Sequence, residues 1–100
     1  MARELRILSR ARTDLDEIWE YVAQDSFSAA NRVENELQQA IWDLVQFPGK
    51  GHTRKDIQDK TLRFWTVYSY LIVFRYDDQF LTVVRVIHGA RNLGRWLSNT

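Results

Sequence analysis

Two apolar stripes at helical spacing follow one another in the first half of the chain and constrain its fold more than any other feature. The first consists of Ala11, Leu15, Ile18, Trp19 and Val22, and the second of Ala30, Val33, Leu37, Ala40, Ile41 and Leu44. Intervals of three and four residues place each set on one side of an α-helix. Because the link Asp25-Ser-Phe-Ser is short, the two helices are predicted to form an antiparallel hairpin.

Capping residues mark where these helices should begin and end. The candidate starts are Ser9, or Thr13 with Asp16, for the first helix, and Ser26 or Ser28 for the second. The second helix should end before Phe47, because Pro48 cannot continue it and disfavours the helical conformation of the residue before it.

Outside the helical hairpin, the polar and charged segment Gly49 to Lys60 is predicted to be a loop, and most of the remaining chain is typical of β-strands. Arg3 to Leu8 predicts a short first strand, and the aromatic and β-branched run Leu62 to Tyr76 predicts two antiparallel strands with a turn at Tyr68-Ser69. Asp77-Asp78-Gln79 predicts the next turn, and Phe80 to His88 the last strand. Ala90 to Leu97 predicts a short C-terminal helix. This order indicates an α+β fold, with the helical hairpin on one face of an antiparallel sheet.

Length and composition favour a single domain over residues 1–100. The chain has no cysteine, so a disulfide framework, a thiolate zinc site and a cysteine nucleophile are excluded. The N-terminus lacks an apolar signal segment, and no run approaches the ~18 apolar residues of a membrane span. We therefore expect a cytoplasmic protein with no membrane contact and no cofactor.

Charge is distributed unevenly, although the formal net charge is only +1. Residues 1–48 contain five Lys/Arg and nine Asp/Glu, whereas residues 49–100 contain nine and four. The basic half could face nucleic acid or an acidic partner peptide, but ordinary surface solvation explains such an asymmetry equally well.

The histidines and the helix carboxylates offer little chemistry on their own. His52 lies in a polar loop and His88 ends a strand beside Gly89, and neither has a carboxylate at a spacing that suits a metal, so no metal site is expected. His88 is the better placed for function, although a hydrogen-bonding role is favoured over that of a general base. The acidic set Asp14, Asp16, Glu17 and Glu20 is expected on the solvated side of the first helix.

Arginines and aromatics of the strands are the remaining candidates for binding. If Asp77-Asp78-Gln79 forms a three-residue turn, Tyr76 faces Phe80, and Arg75 and Arg85 share one sheet face. That face would suit phosphate or carboxylate recognition, or else cross-strand ion pairs. Arg63 joins it only if the Tyr68-Ser69 turn has an odd residue count. The aromatics exceed what one covered sheet face needs, so some of them are expected to form, with Trp96, a groove for a partner or to pack under the C-terminal tail: Trp65, Tyr68, Tyr70, Phe74, Tyr76 and Phe80.

Several short motifs in fixed order resemble the ParE branch of the RelE/ParE toxin superfamily, and the resemblance covers essentially the whole chain. They are Ala11-x-x-Asp14-Leu15-x-x-Ile18-Trp19-x-Tyr21-Val22, Ala30 with Leu37, Pro48-Gly49-x-Gly51, Tyr70-Leu-Ile-Val-Phe-Arg-Tyr and Arg85-Val-Ile-His-Gly-Ala-Arg. The resemblance implies a helical hairpin on an antiparallel sheet, as the hydrophobic periodicity does independently.

The two branches of this superfamily differ in chemistry. RelE-like toxins are ribosome-dependent mRNA endonucleases with basic residues on the sheet and an aromatic hydroxyl near the C-terminus. Matched without gaps, those basic positions correspond here to Leu62, Phe64 and Leu71, the hydroxyl to Leu97, and one arginine survives as Arg91. Leucine and phenylalanine cannot transfer a proton or stabilise a phosphorane. Arg63 and Trp96 lie one residue away, so a shifted register would restore part of the set.

The resemblance therefore implies a non-enzymatic toxin of a type II toxin–antitoxin pair, which poisons DNA gyrase and is neutralised by a cognate ParD-like antitoxin. It implies no direct nucleic-acid contact and leaves open both self-association and hetero-oligomers with antitoxin. The residues expected to face target or antitoxin are Trp65, Arg75, Arg85, His88, Arg91, Arg95 and Trp96. Two alternatives stay open: a ribosome-dependent nuclease acting through Arg63, Arg85, His88 and Arg91, and a non-toxic relic that only binds antitoxin.

Overall fold

A computed structural model describes residues 3–89 and has the predicted order of elements. The elements are β1 (Glu4–Ile7), α1 (Ser9–Ala23), α2 (Phe27–Gln46), a 3₁₀ turn (Pro48–Lys50), β2 (Arg63–Val67), β3 (Tyr70–Tyr76) and β4 (Phe80–His88). The α+β prediction is confirmed, and β4 has the predicted bounds. The predicted C-terminal helix, Ala90 to Leu97, lies outside the described residues. Within the described part, no helix is both long and apolar enough to cross a membrane.

The helix ends follow the capping residues only in part. Ser26 caps α2, since its hydroxyl accepts a hydrogen bond from the Ala29 amide at 3.1 Å. α1 instead begins directly after Leu8 without a side-chain cap, so neither predicted start acts as one. Ser9 is already helical. The Thr13 hydroxyl, one turn inside the helix, donates a hydrogen bond to the Ser9 carbonyl at 3.1 Å.

The four strands form one sheet in the order β1-β4-β3-β2. β2, β3 and β4 are antiparallel as predicted, but β1 lies parallel to β4, so the sheet is mixed. β1 is separated from β4 by the helical hairpin and two strands, and no tight turn forces an antiparallel pairing between them. β1 pairs with β4 only from Phe80 to Val83, which leaves the far half of the β4 edge next to α1.

The strand register differs from the predicted one at the β3–β4 turn. Tyr76 faces Leu81 rather than Phe80. Asp77 extends the hairpin by one pair: its amide donates to the Phe80 carbonyl at 3.0 Å, and its carboxylate accepts from the Gln79 and Phe80 amides at 2.8 Å each. These amide donors are the main reason that the pKa of Asp77 is lowered.

A second irregularity lies farther along the same pair of strands. Phe74 faces Val83, but Val73 faces Arg85, so Val84 is an extra residue in β4 and forms a β-bulge. A bulge re-aims the side chains beside it, and here Arg85 is the neighbour whose direction matters for the site.

The helical hairpin packs on one sheet face and creates the inner core. Its buried residues are Ala11, Leu37, Ile41, Leu44, Val45, Ile72, Phe74, Leu81, Val83 and Val86. Most residues of both apolar stripes pack in this core, as their spacing predicts, whereas the Trp19 ring stacks on Phe27 of α2.

The opposite sheet face is also covered. Ile57 and Leu62, from the segment between the 3₁₀ turn and β2, pack there on strand residues. We call this group the outer cluster: Ile57, Leu62, Phe64, Leu71, Val73 and Ile87, all of them buried. An isolated antiparallel β-bridge between His52 and Phe64 fixes the covering segment. The His52 amide donates to the Phe64 carbonyl at 2.9 Å, and the Phe64 amide donates to the His52 carbonyl at 2.8 Å.

The start of that covering segment gives a stability prediction. A Cβ atom at Gly51 would lie 2.8 Å from Cε1 of Phe74, a side chain with no exposed surface. The backbone at Gly51 (φ −71°, ψ 160°) is open to alanine, so the penalty is purely steric. We expect Gly51→Ala to lower the free energy of unfolding by about 1–3 kcal/mol in a urea titration. Gly49→Ala is the control, since its Cβ meets nothing within 4 Å, and equal losses would contradict the packing.

Candidate functional site

Asp14 of α1 and Arg85 of β4 form a buried ion pair at the centre of the candidate site. The Arg85 Nε donates to Oδ2 of Asp14 at 2.8 Å, and Nη2 donates to Oδ1 at 3.1 Å. The Val86 amide donates to the same Oδ2 at 2.9 Å. Arg85 is 2% exposed and Asp14 is 9% exposed. The two-pronged geometry fixes the middle of α1 against the bulged part of β4.

This pair corrects two predictions. Asp14 is not on the solvated side of α1, whereas Asp16, Glu17 and Glu20 are exposed as predicted. Arg85 forms its ion pair with a helix carboxylate 71 residues away in the sequence. Its burial contradicts the expectation that it faces a target or antitoxin.

A groove lies beside the ion pair, between α1 and the end of β4. It encloses about 440 Å³ and is open at the surface. The described residues that line it are Arg10, Thr13, Asp14, Glu17, Ile18 and Tyr21 of α1, Tyr70 of β3, and Arg85, Val86, Ile87 and His88 of β4. Apolar side chains in the groove are therefore mixed with two exposed charges of opposite sign, Arg10 and Glu17.

His88 and Tyr70 form one end of this groove. They face each other across the β3–β4 pair, with ring centroids 5.2 Å apart and planes inclined at 54°. Burial raises the pKa of Tyr70, and the nearby Tyr21 adds to the effect. His88 is exposed at the strand end, where the sequence places it. Among residues 3–89, no group of three or more His, Asp or Glu is arranged to hold a metal ion.

The remaining strand arginines do not join Arg85. Arg75 is exposed and faces Thr82, so the two arginines predicted to share a face form no common cationic surface. Arg63 faces Phe74, and its Nη1 donates to the carbonyls of Lys60 and Leu62 at 2.8 and 3.2 Å. The turn at Tyr68-Ser69 has two residues, an even count, which puts Arg63 on the sheet face opposite Arg75.

Trp65, predicted to face a partner, is half-buried against the inner core. The Nζ atom of Lys50 lies 4.5 Å from its ring centroid, and the His52 ring stacks at 6.0 Å. A cation over an indole face stabilises the local structure modestly. Arg91, Arg95 and Trp96 lie outside the described residues.

The outer cluster occupies the positions that the family resemblance matches to nuclease residues. Leu62, Phe64 and Leu71 are 5%, 3% and 6% exposed, and they pack on one another with Ile57. These positions form a closed apolar contact in place of an open basic surface. The sequence signal for this arrangement is Ile57, an apolar residue within an otherwise polar and charged segment.

Comparison with known proteins agrees with this fold. The sequence model of the ParE toxin family of type II toxin–antitoxin systems, parDE, matches residues 5–93. No curated protein matches the chain significantly in sequence.

Several solved structures resemble the chain, and the three that follow do so at an identity that shows the fold alone. The chromosomal ParDE toxin–antitoxin system of Pseudomonas aeruginosa has a TM-score of 0.73 at 20% identity, covering 89% of this chain and 98% of that one. The RelBE2 toxin–antitoxin complex of Mycobacterium tuberculosis has a TM-score of 0.68 at 18% identity, covering 88% of this chain and 99% of that one. A mutant of the Escherichia coli toxin RelE in the free state has a TM-score of 0.64 at 17% identity, covering 98% of this chain and 93% of that one.

Proposed function

The chain belongs to the ParE toxin family of type II toxin–antitoxin systems, and from this premise we propose that it is a non-enzymatic toxin that poisons DNA gyrase in the cytoplasm. The observation that carries the proposal is the outer cluster. Where the ribosome-dependent nucleases of the superfamily need basic residues, this chain buries Leu62, Phe64 and Leu71.

Among residues 3–89, the residues of the nuclease alternative, Arg63, Arg85 and His88, are not brought together at one point. Arg85 is engaged with Asp14. Arg63 faces Phe74 whereas His88 faces Tyr70, four residues along the same strand. Arg63 lies on β2 and His88 on β4, so an offset of ~3.3 Å per residue along β3 and ~4.8 Å per strand across it separates their backbones by roughly 16 Å. A general base and a phosphate-stabilising cation must both reach the same reacting group, and this separation argues against Arg63 and His88 acting as a pair.

We propose further that a cognate antitoxin neutralises the chain by laying a peptide segment in the groove between α1 and β4. Two of the similar structures are toxin–antitoxin complexes, which supports an antitoxin as partner. The groove offers apolar contacts from Ile18, Tyr21 and Tyr70, with Arg10 and Glu17 available to orient a polar segment. Half of the β4 edge lies there without pairing to β1.

The experiment that tests the toxin mechanism is induced expression without antitoxin, followed by two assays on the same arrested cells. We expect an SOS response with gyrase-linked DNA breaks and intact mRNA. Cleaved mRNA without DNA breaks would overturn the proposal in favour of the nuclease. Normal growth at a verified level of folded protein would instead support the non-toxic relic. Purified gyrase, assayed for trapped cleavage complexes with and without the chain, checks the direct interaction.

Tyr21 provides a test of the antitoxin site. Its ring lines the groove and is 70% exposed, so removing it should leave folding nearly unchanged. We expect Tyr21→Ala to weaken antitoxin binding about tenfold or more, as truncation of an interface aromatic does. Phe47→Ala is the matched control, since Phe47 is 66% exposed and does not line the groove. Isothermal titration of both variants decides the matter: equal weakening would place the antitoxin elsewhere.

A further inference from the structure

The two edges of the sheet differ in how they are covered. At the β2 edge, the bridge from His52 pairs with the outward backbone groups of Phe64. The other edge is β1, and residues 3–89 provide no strand beside it. An unpaired edge strand is a template for another strand, so proteins usually cover it or interrupt it with a proline or a bulge. β1 contains no proline, and its pairing with β4 is regular from Glu4 to Ile7.

The hydrogen bonds of β1 define which of its backbone groups face outward. The amides of Glu4 and Leu8 donate toward β4, at 2.8 and 3.1 Å from their carbonyl acceptors. Successive residues of a strand turn their amides to opposite sides, so the amides and carbonyls of Leu5 and Ile7 point away from β4. These groups are therefore positioned to pair with a further strand.

The exposed side chains of β1 have opposite charges. Leu5 and Ile7 pack against the inner core. Glu4 and Arg6 therefore lie on the outer sheet face, and both are exposed. Neither forms an ion pair within residues 3–89, although the Arg6 guanidinium lies 3.3 Å from the ring centroid of Phe80. The edge thus presents a carboxylate and a guanidinium two residues apart, and the described chain neutralises neither of them by direct contact.

We infer that β1 pairs with β1 of a second copy of this chain, antiparallel and centred on Leu5. In that register Glu4 of each copy lies opposite Arg6 of the other. Opposite charges directly across an antiparallel pair are favourable, whereas like charges are unfavourable. A shift of two residues in either direction places Arg6 opposite Arg6 or Glu4 opposite Glu4, so the charges select one register. The backbone agrees with it, because Leu5 and Ile7 are the residues whose polar groups point outward.

A second copy suits this edge because the charge pattern is complementary to itself, and the geometry leaves room for it. Both helical hairpins would lie on the same side of the joined sheet, with α1 packed over β4. At ~4.8 Å per strand, the two β4 strands lie roughly 14 Å apart. Packed helices need only about 8–10 Å between their axes, so the two copies of α1 clear each other. The groove between α1 and the end of β4 stays open in both copies, since β1 pairs only with Phe80 to Val83.

The test is sedimentation velocity of the purified chain over a range of concentrations in low-salt buffer. The wild type should form a weak dimer that dissociates on dilution, as a small interface does. Glu4→Arg and Arg6→Glu should each weaken dimerisation about tenfold or more, because each replaces two attractive contacts with two repulsive ones. An equimolar mixture of these variants should dimerise again, since one chain then has two arginines and the other two glutamates. Arg75→Glu, the same charge change at an exposed position of β3, is the control and should have no effect.

A cysteine pair tests the register itself, because the natural chain has no cysteine. A Glu4→Cys chain mixed with an Arg6→Cys chain should form the mixed disulfide in preference to either homodimer. Only that combination places the two Cα atoms directly opposite each other, within about 5 Å. Equal amounts of the three disulfides would contradict the register.

Three outcomes of the sedimentation experiment would overturn the inference. A wild type that stays monomeric up to the millimolar range forms no such pair. A dimer that is insensitive to both charge reversals, or a mixture of the two variants that stays monomeric, places the contact elsewhere. If the reversals instead weaken antitoxin binding in a monomeric chain, the β1 edge belongs to the antitoxin. None of these measurements uses toxicity, so their result is independent of the proposed gyrase target.

Discussion

Replacing Asp14 with alanine is expected to lower the free energy of unfolding by about 3–5 kcal/mol, because it leaves a buried guanidinium without its carboxylate. Arg85 is 2% exposed, so water cannot replace the lost partner without opening the structure. The Val86 amide loses its acceptor in the same step. For a domain with a total stability of about 5–15 kcal/mol, this is a large share. Urea denaturation of the purified protein measures it.

The neighbouring carboxylate provides the control. Asp16 lies on the same helix but is exposed, and Asp16→Ala should change stability by no more than about 0.5 kcal/mol. Equal effects at positions 14 and 16 would refute the buried pair. A double-variant cycle with Arg85→Met adds a second check: once the guanidinium is gone, removing Asp14 should cost much less than it does alone. Additive losses would show that the two side chains do not interact.

The elements of the fold were predictable because they depend on short-range patterns. The stripe that contains Leu37 fixes the phase of α2, and Ser26 with Pro48 brackets that helix closely. The β-branched run from Phe80 to His88 sets β4, and Gly89, with a φ of +75°, ends it. Each of these signals acts within a few residues, where sequence order and spatial order coincide.

The ion pair was not predictable in the same way. Asp14 belongs to a run of acidic residues on α1, and only the arrival of Arg85 from β4 makes it different from Asp16. The bulge at Val84 decides where Arg85 points, and the bulge has no sequence signature such as a glycine. The prediction that Tyr76 faces Phe80 was wrong for a related reason. The Asp77 carboxylate stabilises a tighter turn, and its hydrogen bonds depend on three-dimensional geometry.

The candidate site combines both kinds of information. The resemblance identified Leu62, Phe64 and Leu71 as replacements for basic residues, but a shifted register could have restored a cation through Arg63. The even-numbered turn at Tyr68-Ser69 puts Arg63 on the other sheet face, and Ile57 closes over the apolar positions. Burial of the cluster thus adds a physical argument against the nuclease that the sequence alone did not contain.

Leu37→Ala is the other substitution with a large expected effect, at about 2–5 kcal/mol of lost unfolding free energy. Leu37 is 1% exposed in the middle of α2 and packs in the inner core, so truncation leaves a cavity between helix and sheet. Glu34→Ala, one turn earlier on the same helix, removes an exposed side chain whose contact is a 3.5 Å hydrogen bond from Gln38. That control should be nearly silent.

The loss of unfolding free energy expected for Leu37→Ala should not depend on solution conditions. The contacts that it removes are apolar, so the loss should be the same across pH 5 to 8 and from low to high salt. The surroundings of a cavity can partly collapse into it, which widens the range of stability losses expected for Leu37→Ala, whereas a buried guanidinium that has lost its carboxylate has no such relief. Small and equal losses for Leu37→Ala and Glu34→Ala would mean that the apolar side of α2 does not face the sheet. The inner core as described, and the placement of α1 beside β4 that depends on it, would then be wrong.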